Sequence, residues 1–207
     1  MLKFSALMLY AMVLLLPNIV FALDGDRKGF QLGLGLGAQA TFYSSAASVS
    51  GIKDSFAYSG NRGTDFMAGI SSDFKVGFGV TSDLEFHYFH KAAWNVLKNS
   101  ENDYLNNFNG VSGLGATFFI PFGMSNVWPS APFLSAGYGG AFWAVPQKTL
   151  SSPFAGKGYY VGIGYEFAQH VRLQLDFLSG SASETIASDS IEKRFKNILL
   201  SLSVMAY

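Results

Sequence analysis

The three histidines are the first residues to consider as metal ligands, and their spacing argues against a metal site. They are His87, His90 and His170. His87 and His90 are three residues apart, and this spacing places two side chains on opposite faces of an extended strand. A shared metal ion needs ligands that converge on one point. We therefore expect no metal and no metal-dependent chemistry.

Hydrolytic chemistry needs a nucleophile, a base and an acid that orients the base. In this sequence the set would have to combine His90, either Ser100 or Ser112, and Glu101. No compact motif joins them, so the sequence predicts no catalytic residue. A lipid-modifying enzyme remains the least favoured of three functional hypotheses.

Composition narrows the function classes further. Basic and acidic residues balance at 14 each, so the chain has no basic footprint for nucleic acid. It contains no cysteine, which excludes disulfides and thiolate metal sites. Glycine runs such as Gly33-Leu34-Gly35 precede no helix, so a phosphate-binding loop is not indicated. No cofactor is expected.

Charged side chains recur at alternating positions and form a candidate polar cluster. Its members are Asp73, Lys75, Glu85, His87, Glu166, Arg172 and Asp176. Glu166 and Arg172 are equidistant from a tight turn at Gln169, so we expect a direct cross-strand ion pair. Lys75 and His87 are predicted to lie at similar heights on neighbouring strands, close to Asp73 and Glu85.

The elements that position these residues are strands. Between Phe30 and Tyr207, apolar residues alternate with small or polar ones in eight runs, which is the period of a β-strand with two unlike faces. The predicted strands are Gly29–Tyr43, Phe66–Gly79, Leu84–Ala93, Val111–Phe122, Pro132–Ala144, Gly158–Phe167, Val171–Leu178 and Phe195–Tyr207.

The two faces of these strands indicate the fold class. The apolar face is large and aromatic, whereas the opposite face is mainly glycine and polar groups, which cannot fill a common core. This pattern predicts an all-β, eight-stranded antiparallel up-and-down transmembrane β-barrel with the apolar faces toward lipid. A soluble sandwich is the alternative, supported by large residues that would point inward: Phe89, Phe119, Phe133, Trp143 and Tyr160.

The N-terminal residues have the features of a secretory signal peptide. Lys3 precedes the apolar run Phe4 to Leu16, Pro17 interrupts it, and small Ala22 precedes a polar stretch. We expect 1–22 to be a signal peptide and 23–207 the barrel domain. An uncleaved N-terminal anchor is the alternative.

The connections between predicted strands alternate in length. Four long polar connections are expected at the external end: Ser44–Asp65, Trp94–Gly110, Val145–Lys157 and Ser179–Arg194. Those at 80–83 and 168–170 are short, as periplasmic turns of such barrels are. Aromatic residues near the strand ends, Tyr207 among them, are expected at the membrane interface.

Two interpretations of the polar cluster stay open. It could fill the narrow interior of an eight-stranded barrel, which has room for little besides side chains. It could instead line a path for protons or ions, or an active site. We favour the first, because a barrel of this size needs a filled interior whatever its task.

The segment Gly162 to Phe177 resembles the small outer-membrane barrels of the OmpA and OmpX type. In it a Gly-x-Gly-Tyr strand turns tightly into an Arg-Leu strand. The resemblance implies an outer-membrane location, and it implies that Tyr207 serves as the terminal aromatic read by the barrel-assembly machinery. The last strand departs from the pattern, because its main apolar face is out of phase with Tyr207.

These observations favour a non-enzymatic outer-membrane barrel with a structural or surface-interaction role through its external loops. The alternative of another class is a narrow channel for small or apolar solutes, since the glycines facing the lumen could leave gaps. The expected partners are outer-membrane lipids, the assembly machinery and an extracellular ligand of the loops, but no nucleic acid.

Overall fold

Eight antiparallel strands close into a barrel in the computed structural model, which describes residues 27–48, 65–98, 104–120, 131–144, 154–168, 170–186 and 189–207. The strands are β1 (Gly29–Ser48), β2 (Asp65–Gly79), β3 (Leu84–Lys98), β4 (Tyr104–Phe119), β5 (Ala131–Ala144), β6 (Phe154–Ala168), β7 (Val171–Ile186) and β8 (Asp189–Ala206). Each strand pairs with the next, and β8 pairs with β1. The predicted fold class is confirmed.

Tight connections join strands at one end of the barrel. Between β2 and β3, the N–H of Val80 donates to the carbonyl of Leu84 at 2.9 Å. Between β6 and β7, His170 adopts a left-handed backbone with φ of 70°. The N–H of Met205 donates to the carbonyl of His170 at 2.7 Å, which ties this turn to β8. These contacts fix the register from which the interior pairs follow.

The opposite end differs from the sequence prediction, because the strands continue into residues expected to be loops. The predicted connection Ser179–Arg194 is wrong: β7 runs to Ile186 and β8 starts at Asp189. The predicted connection Trp94–Gly110 is also mostly strand, which leaves only 99–103 between β3 and β4. Residues 179–185 are all small or polar, as in a loop, but the backbone hydrogen bonds between strands do not depend on the side chains.

The other two external connections are shortened in the same way. β1 continues to Ser48, and β6 begins at Phe154. In contrast, β4 ends at Phe119, so at the tight-turn end it is shorter than predicted. Phe122, the predicted end of that strand, and the signal peptide 1–22 lie outside the described residues.

The two faces of the strands have the predicted directions. Leu34, Leu36 and Leu114 point outward with 62%, 72% and 73% of their surface exposed. The side chains that alternate with the outward ones are enclosed, and they include most of the charged residues of the barrel wall. An apolar exterior around a polar interior is the reverse of a soluble protein and suits a lipid environment.

Aromatic side chains complete the interior by packing over glycines. Phe89, Phe119, Phe133, Trp143 and Tyr160 are at most 2% exposed, which confirms their inward direction. A Cβ atom on Gly137 would lie 2.5 Å from ring carbons of both Phe89 and Tyr160. Glycine in the wall therefore leaves space that an inward ring fills. Because the eight strands form one closed barrel, the alternative of a two-sheet sandwich is wrong.

Among the described residues, no helix has the length and hydropathy to cross a membrane.

Candidate functional site: enclosed ion clusters and the outer wall

Five residues at the tight-turn end form a buried group that we call the basal cluster: Arg27, Glu85, Glu166, Arg172 and Tyr207. Glu166 and Arg172 are paired in register, as predicted, and Arg172 Nε donates to Glu166 Oε2 at 2.7 Å. The same guanidinium reaches Glu85 through Nη2 at 2.6 Å and Nη1 at 3.1 Å. Arg27 Nη2 donates to Glu166 Oε1 at 2.7 Å. Two arginines thus neutralise two glutamates.

Aromatic rings cover the guanidinium groups of the basal cluster. Arg27 lies 4.2 Å and Arg172 4.8 Å from the centroid of the Phe119 ring. Arg172 also lies 5.7 Å from the centroid of Phe133. A cation over a ring face is attracted by the ring quadrupole, and more strongly when it is desolvated. The rings and ions therefore close this end of the lumen together.

A second group, the middle cluster, lies further along the lumen and consists of Asp73, Lys75, Lys91, Gln174 and Asp176. Lys91 Nζ donates to Asp73 Oδ2 at 2.6 Å and to Asp176 Oδ2 at 2.7 Å. Lys75 Nζ donates to Gln174 Oε1 at 3.1 Å, and Gln174 Nε2 donates to Asp176 Oδ1 at 2.6 Å. The two lysines balance the two aspartates.

His87 connects the charged part of the lumen to its apolar part. Its Nε2 lies 2.9 Å from the hydroxyl of Tyr160, and the Tyr160 ring packs edge-on against Phe89 with centroids 4.6 Å apart. Lys75 is opposite Phe89 in register and His87 is opposite Gly77, so Lys75 and His87 are offset by one pleat. The hydrogen-bond partner of His87 is thus the Tyr160 hydroxyl and not Lys75.

All seven residues of the predicted polar cluster line the interior, and the structure divides them between groups. Glu85, Glu166 and Arg172 belong to the basal cluster, whereas Asp73, Lys75 and Asp176 belong to the middle cluster and His87 contacts Tyr160. Two charged members of these clusters were missed. Lys91 continues the inward phase of Glu85, His87 and Phe89 and could have been found by extending it. Arg27 precedes β1, where no strand period applies.

Tyr207 does not lie in the interfacial aromatic belt, so that prediction is wrong. Its side chain is 1% exposed, and its hydroxyl donates to Glu166 Oε1 at 2.8 Å. The ring also packs against His170, with centroids 4.7 Å apart. The inward direction follows from the phase of β8, in which Met205 and Ser203 also face the lumen.

A histidine and a serine meet on the outer wall. His90 Nδ1 lies 2.5 Å from Ser112 Oγ, and the imidazole stacks on Phe142 with centroids 5.3 Å apart. No carboxylate among the described residues bonds to His90, and Glu101 lies outside them. Within the described part of the chain, the pair therefore has a nucleophile and a base but no orienting acid of the kind a hydrolase uses. Nor do the described ranges contain a group of three or more potential metal ligands among His, Cys, Asp and Glu.

Solved structures of small outer-membrane barrels share this fold. Neisserial surface protein A matches with a TM-score of 0.50 and 17% identity, over 86% of this chain and 97% of that one. AlkL, determined in lipid bilayers, matches with a TM-score of 0.49 and 14% identity over 86% of this chain and 90% of its own. OprG from Pseudomonas aeruginosa matches with a TM-score of 0.47 and 12% identity over 88% and 99%.

No family model and no curated sequence matches the chain. At 17% identity the likeness to Neisserial surface protein A establishes the fold alone: a closed eight-stranded antiparallel β-barrel, as in that protein.

Proposed function

We propose that this chain is a non-enzymatic integral protein of the Gram-negative outer membrane, with a closed lumen and a structural or surface-interaction role. The observation that carries the proposal is the filled interior. Any ligand would then bind to the outer wall or at the external strand ends, because the interior has no room for one. Signal-peptide cleavage after 22 and recognition of Tyr207 by the assembly machinery are parts of the same proposal.

Membrane placement is supported by the exposed apolar rows of the wall. Adjacent outward positions on β6, β7 and β8 are Val161, Phe177 and Ile198, followed toward the tight-turn end by Ile163, Leu175 and Leu200. Such a continuous apolar surface is far larger than the patches that soluble monomers expose. Burial in lipid removes it from water, while the ladder satisfies the backbone hydrogen bonds.

The buried ion pairs inside the barrel support a closed lumen. An ion passing the basal cluster would have to separate Arg172 from Glu85 or Glu166, all of which are at most 1% exposed. Separating one buried pair leaves an uncompensated charge and costs about 3–5 kcal/mol. Further along, Phe89, Tyr160 and Leu178 are fully buried members of an apolar cluster. An ion path would need both layers to open.

Planar-bilayer recording tests the closed lumen. We expect no discrete conductance steps from the purified barrel in a bilayer where an added general porin conducts. Recording the Arg172→Ala variant shows whether any conductance steps come from this protein or from a contaminant, because a contaminant's steps would not change. Steps in the wild type that change size in Arg172→Ala would overturn the closed lumen and favour the narrow channel. An uptake assay with an apolar solute, run on liposomes with and without the protein, covers permeation that carries no current.

Collisional relaxation of spin labels tests the membrane placement independently. A label at Leu34 lies in the apolar band, whereas one at Ser183 lies beyond it on the same outward surface. We expect the first to be accessible to dissolved oxygen and shielded from a water-soluble nickel complex, and the second to show the reverse. Equal responses at the two positions would contradict the placement.

Lipid analysis tests the absence of catalysis. Cells carrying the wild type and cells carrying Ser112→Ala are expected to have the same lipid acylation pattern. A pattern that depends on Ser112 would make the outer-wall pair of His90 and Ser112 an active site.

A further inference from the structure

Three cations occupy the external end of the outer wall on the two strands that flank β7. They are Lys157 on β6 and Arg194 and Lys196 on β8, and we call them the cationic rim. All three side chains are exposed. We propose that the cationic rim binds the phosphate groups of an outer-leaflet lipid whose acyl chains lie against the apolar wall below. The proposal rests on the membrane placement proposed above.

Register places the three cations around one strand. Lys157 is opposite Ser181 of β7, and Ser181 is opposite Arg194 of β8. Lys196 is opposite Ser179, one outward position lower on the same wall. Neighbouring strands are about 4.8 Å apart, so Lys157 and Arg194 are separated by about 10 Å across β7. Long side chains on either side of that gap can reach one phosphate or two adjacent ones.

A groove lies between the cations. It has a volume of about 530 Å³, and its lining includes Tyr138, Tyr159, Ser179 and Ser181 as well as the cationic rim. The small residues of β7 lie between the longer side chains of β6 and β8, which leaves the depression. Serine hydroxyls and tyrosine phenols are hydrogen-bonding partners for a polar headgroup.

The height of the groove identifies the kind of ligand. The outward row next to it on the membrane side is Val161, Phe177 and Ile198, and the rows below that are also apolar. The cations are therefore the first charges above the apolar band. Tyr138 and Tyr159 lie opposite each other at the same level, as expected for rings at the headgroup layer. Lipid phosphates lie at this depth, whereas a soluble anion is not concentrated there.

The charge of the groove is available for a ligand. Glu192 accepts from Arg194 Nε at 2.9 Å and from Arg194 Nη2 at 2.9 Å. Of the outward side chains described on β6, β7 and β8, Glu192 is the sole carboxylate, and neither Lys157 nor Lys196 has a partner among the described residues. Three cations against one carboxylate leave a net charge of +2. Phosphate is the complementary headgroup anion.

Native mass spectrometry of the folded barrel in detergent tests the proposal. The probes are bisphosphorylated lipid A, the same lipid after dephosphorylation, and inorganic pyrophosphate at equal concentrations. We expect the wild type to retain the bisphosphorylated lipid and to retain the dephosphorylated lipid much more weakly. Inorganic pyrophosphate should not displace the bound lipid, since it lacks the acyl chains.

The variant Lys157→Gln/Lys196→Gln should retain about twenty-five-fold less of the bisphosphorylated lipid, because each lysine near an anionic surface contributes about a fivefold factor. Glu192→Gln releases Arg194 and should increase retention. The matched control is Lys28→Gln, which removes an exposed lysine at the opposite end of the barrel and should leave retention unchanged.

Any of three results would overturn the site: equal retention of phosphorylated and dephosphorylated lipid, an unaffected double variant, or displacement by pyrophosphate. Heat-modifiable gel migration checks that each variant is folded. If the double variant does not fold, the two single variants decide through their expected fivefold losses. The label at Leu34 separates a failure of this site from a failure of the membrane placement, because its response does not depend on the cationic rim.

Discussion

Replacement of Lys91 by methionine gives the sharpest test of the enclosed charges. Lys91 is fully buried, and its ammonium group holds Asp73 and Asp176 at 2.6 and 2.7 Å. Methionine keeps the length and the apolar stem of the side chain but removes the charge. Two carboxylates then face each other in the middle of the lumen, with Lys75 as the remaining cation of the middle cluster.

The expected loss follows from the burial of the carboxylates. Removing one partner of a buried ion pair destabilises a protein by about 3–5 kcal/mol, because the other partner stays buried and uncompensated. This corresponds to a change in the unfolding equilibrium constant of about two to three and a half decades. Urea unfolding of the barrel in phospholipid vesicles, followed by tryptophan fluorescence, measures it.

Two variants control this measurement. Lys157→Met removes an exposed cation of the outer wall and should change the free energy of unfolding by less than about 0.5 kcal/mol. Lys91→Met/Asp176→Asn restores the charge balance with Asp73 and Lys75 and should recover more than half of the loss. A loss in Lys91→Met no larger than that in Lys157→Met would show that the carboxylates are hydrated, and the closed lumen would be refuted.

Two further predictions concern packing at the lumen wall. Gly137→Val should destabilise the barrel by about 1–3 kcal/mol because its side chain would displace the inward ring pair. The same change at Gly140, where a Cβ meets nothing nearer than 3.9 Å, should be tolerated, and unfolding of both variants in vesicles compares them. Tyr207→Phe removes the hydrogen bond to Glu166 and should cost about 1.5 kcal/mol, the low end for a bond to a charged group, because two arginines still hold that carboxylate. An unchanged unfolding midpoint in Tyr207→Phe would mean that the hydroxyl bonds equally well to water.

The period of the sequence was sufficient to predict the strands, their faces and one ion pair. The pairing of Glu166 with Arg172 followed because a tight turn fixes the register of the residues beside it. The inward direction of Phe89 and Tyr160 followed from phase alone. In each case a local rule determined the geometry, so no knowledge of the other strands was needed.

Contacts between distant strands could not be predicted in this way. Lys91 bonds to Asp176 across a separation of 85 residues, which depends on the closure and diameter of the barrel rather than on any local pattern. Arg27 enters the lumen from outside the strands. The external ends of β7 and β8 were missed for a different reason: residues 179–185 and 192–194 are all small or polar, so the alternation that reveals a strand disappears.

The inward direction of Tyr207 has a consequence for assembly. The finished barrel buries this side chain against Glu166 and His170, so it presents no terminal aromatic on the outer wall. If the assembly machinery reads Tyr207, as the resemblance implies, it must do so while β8 is still separate from β1, because closure of that pair encloses the ring. The hydrogen bond to Glu166 would then form only when recognition is over.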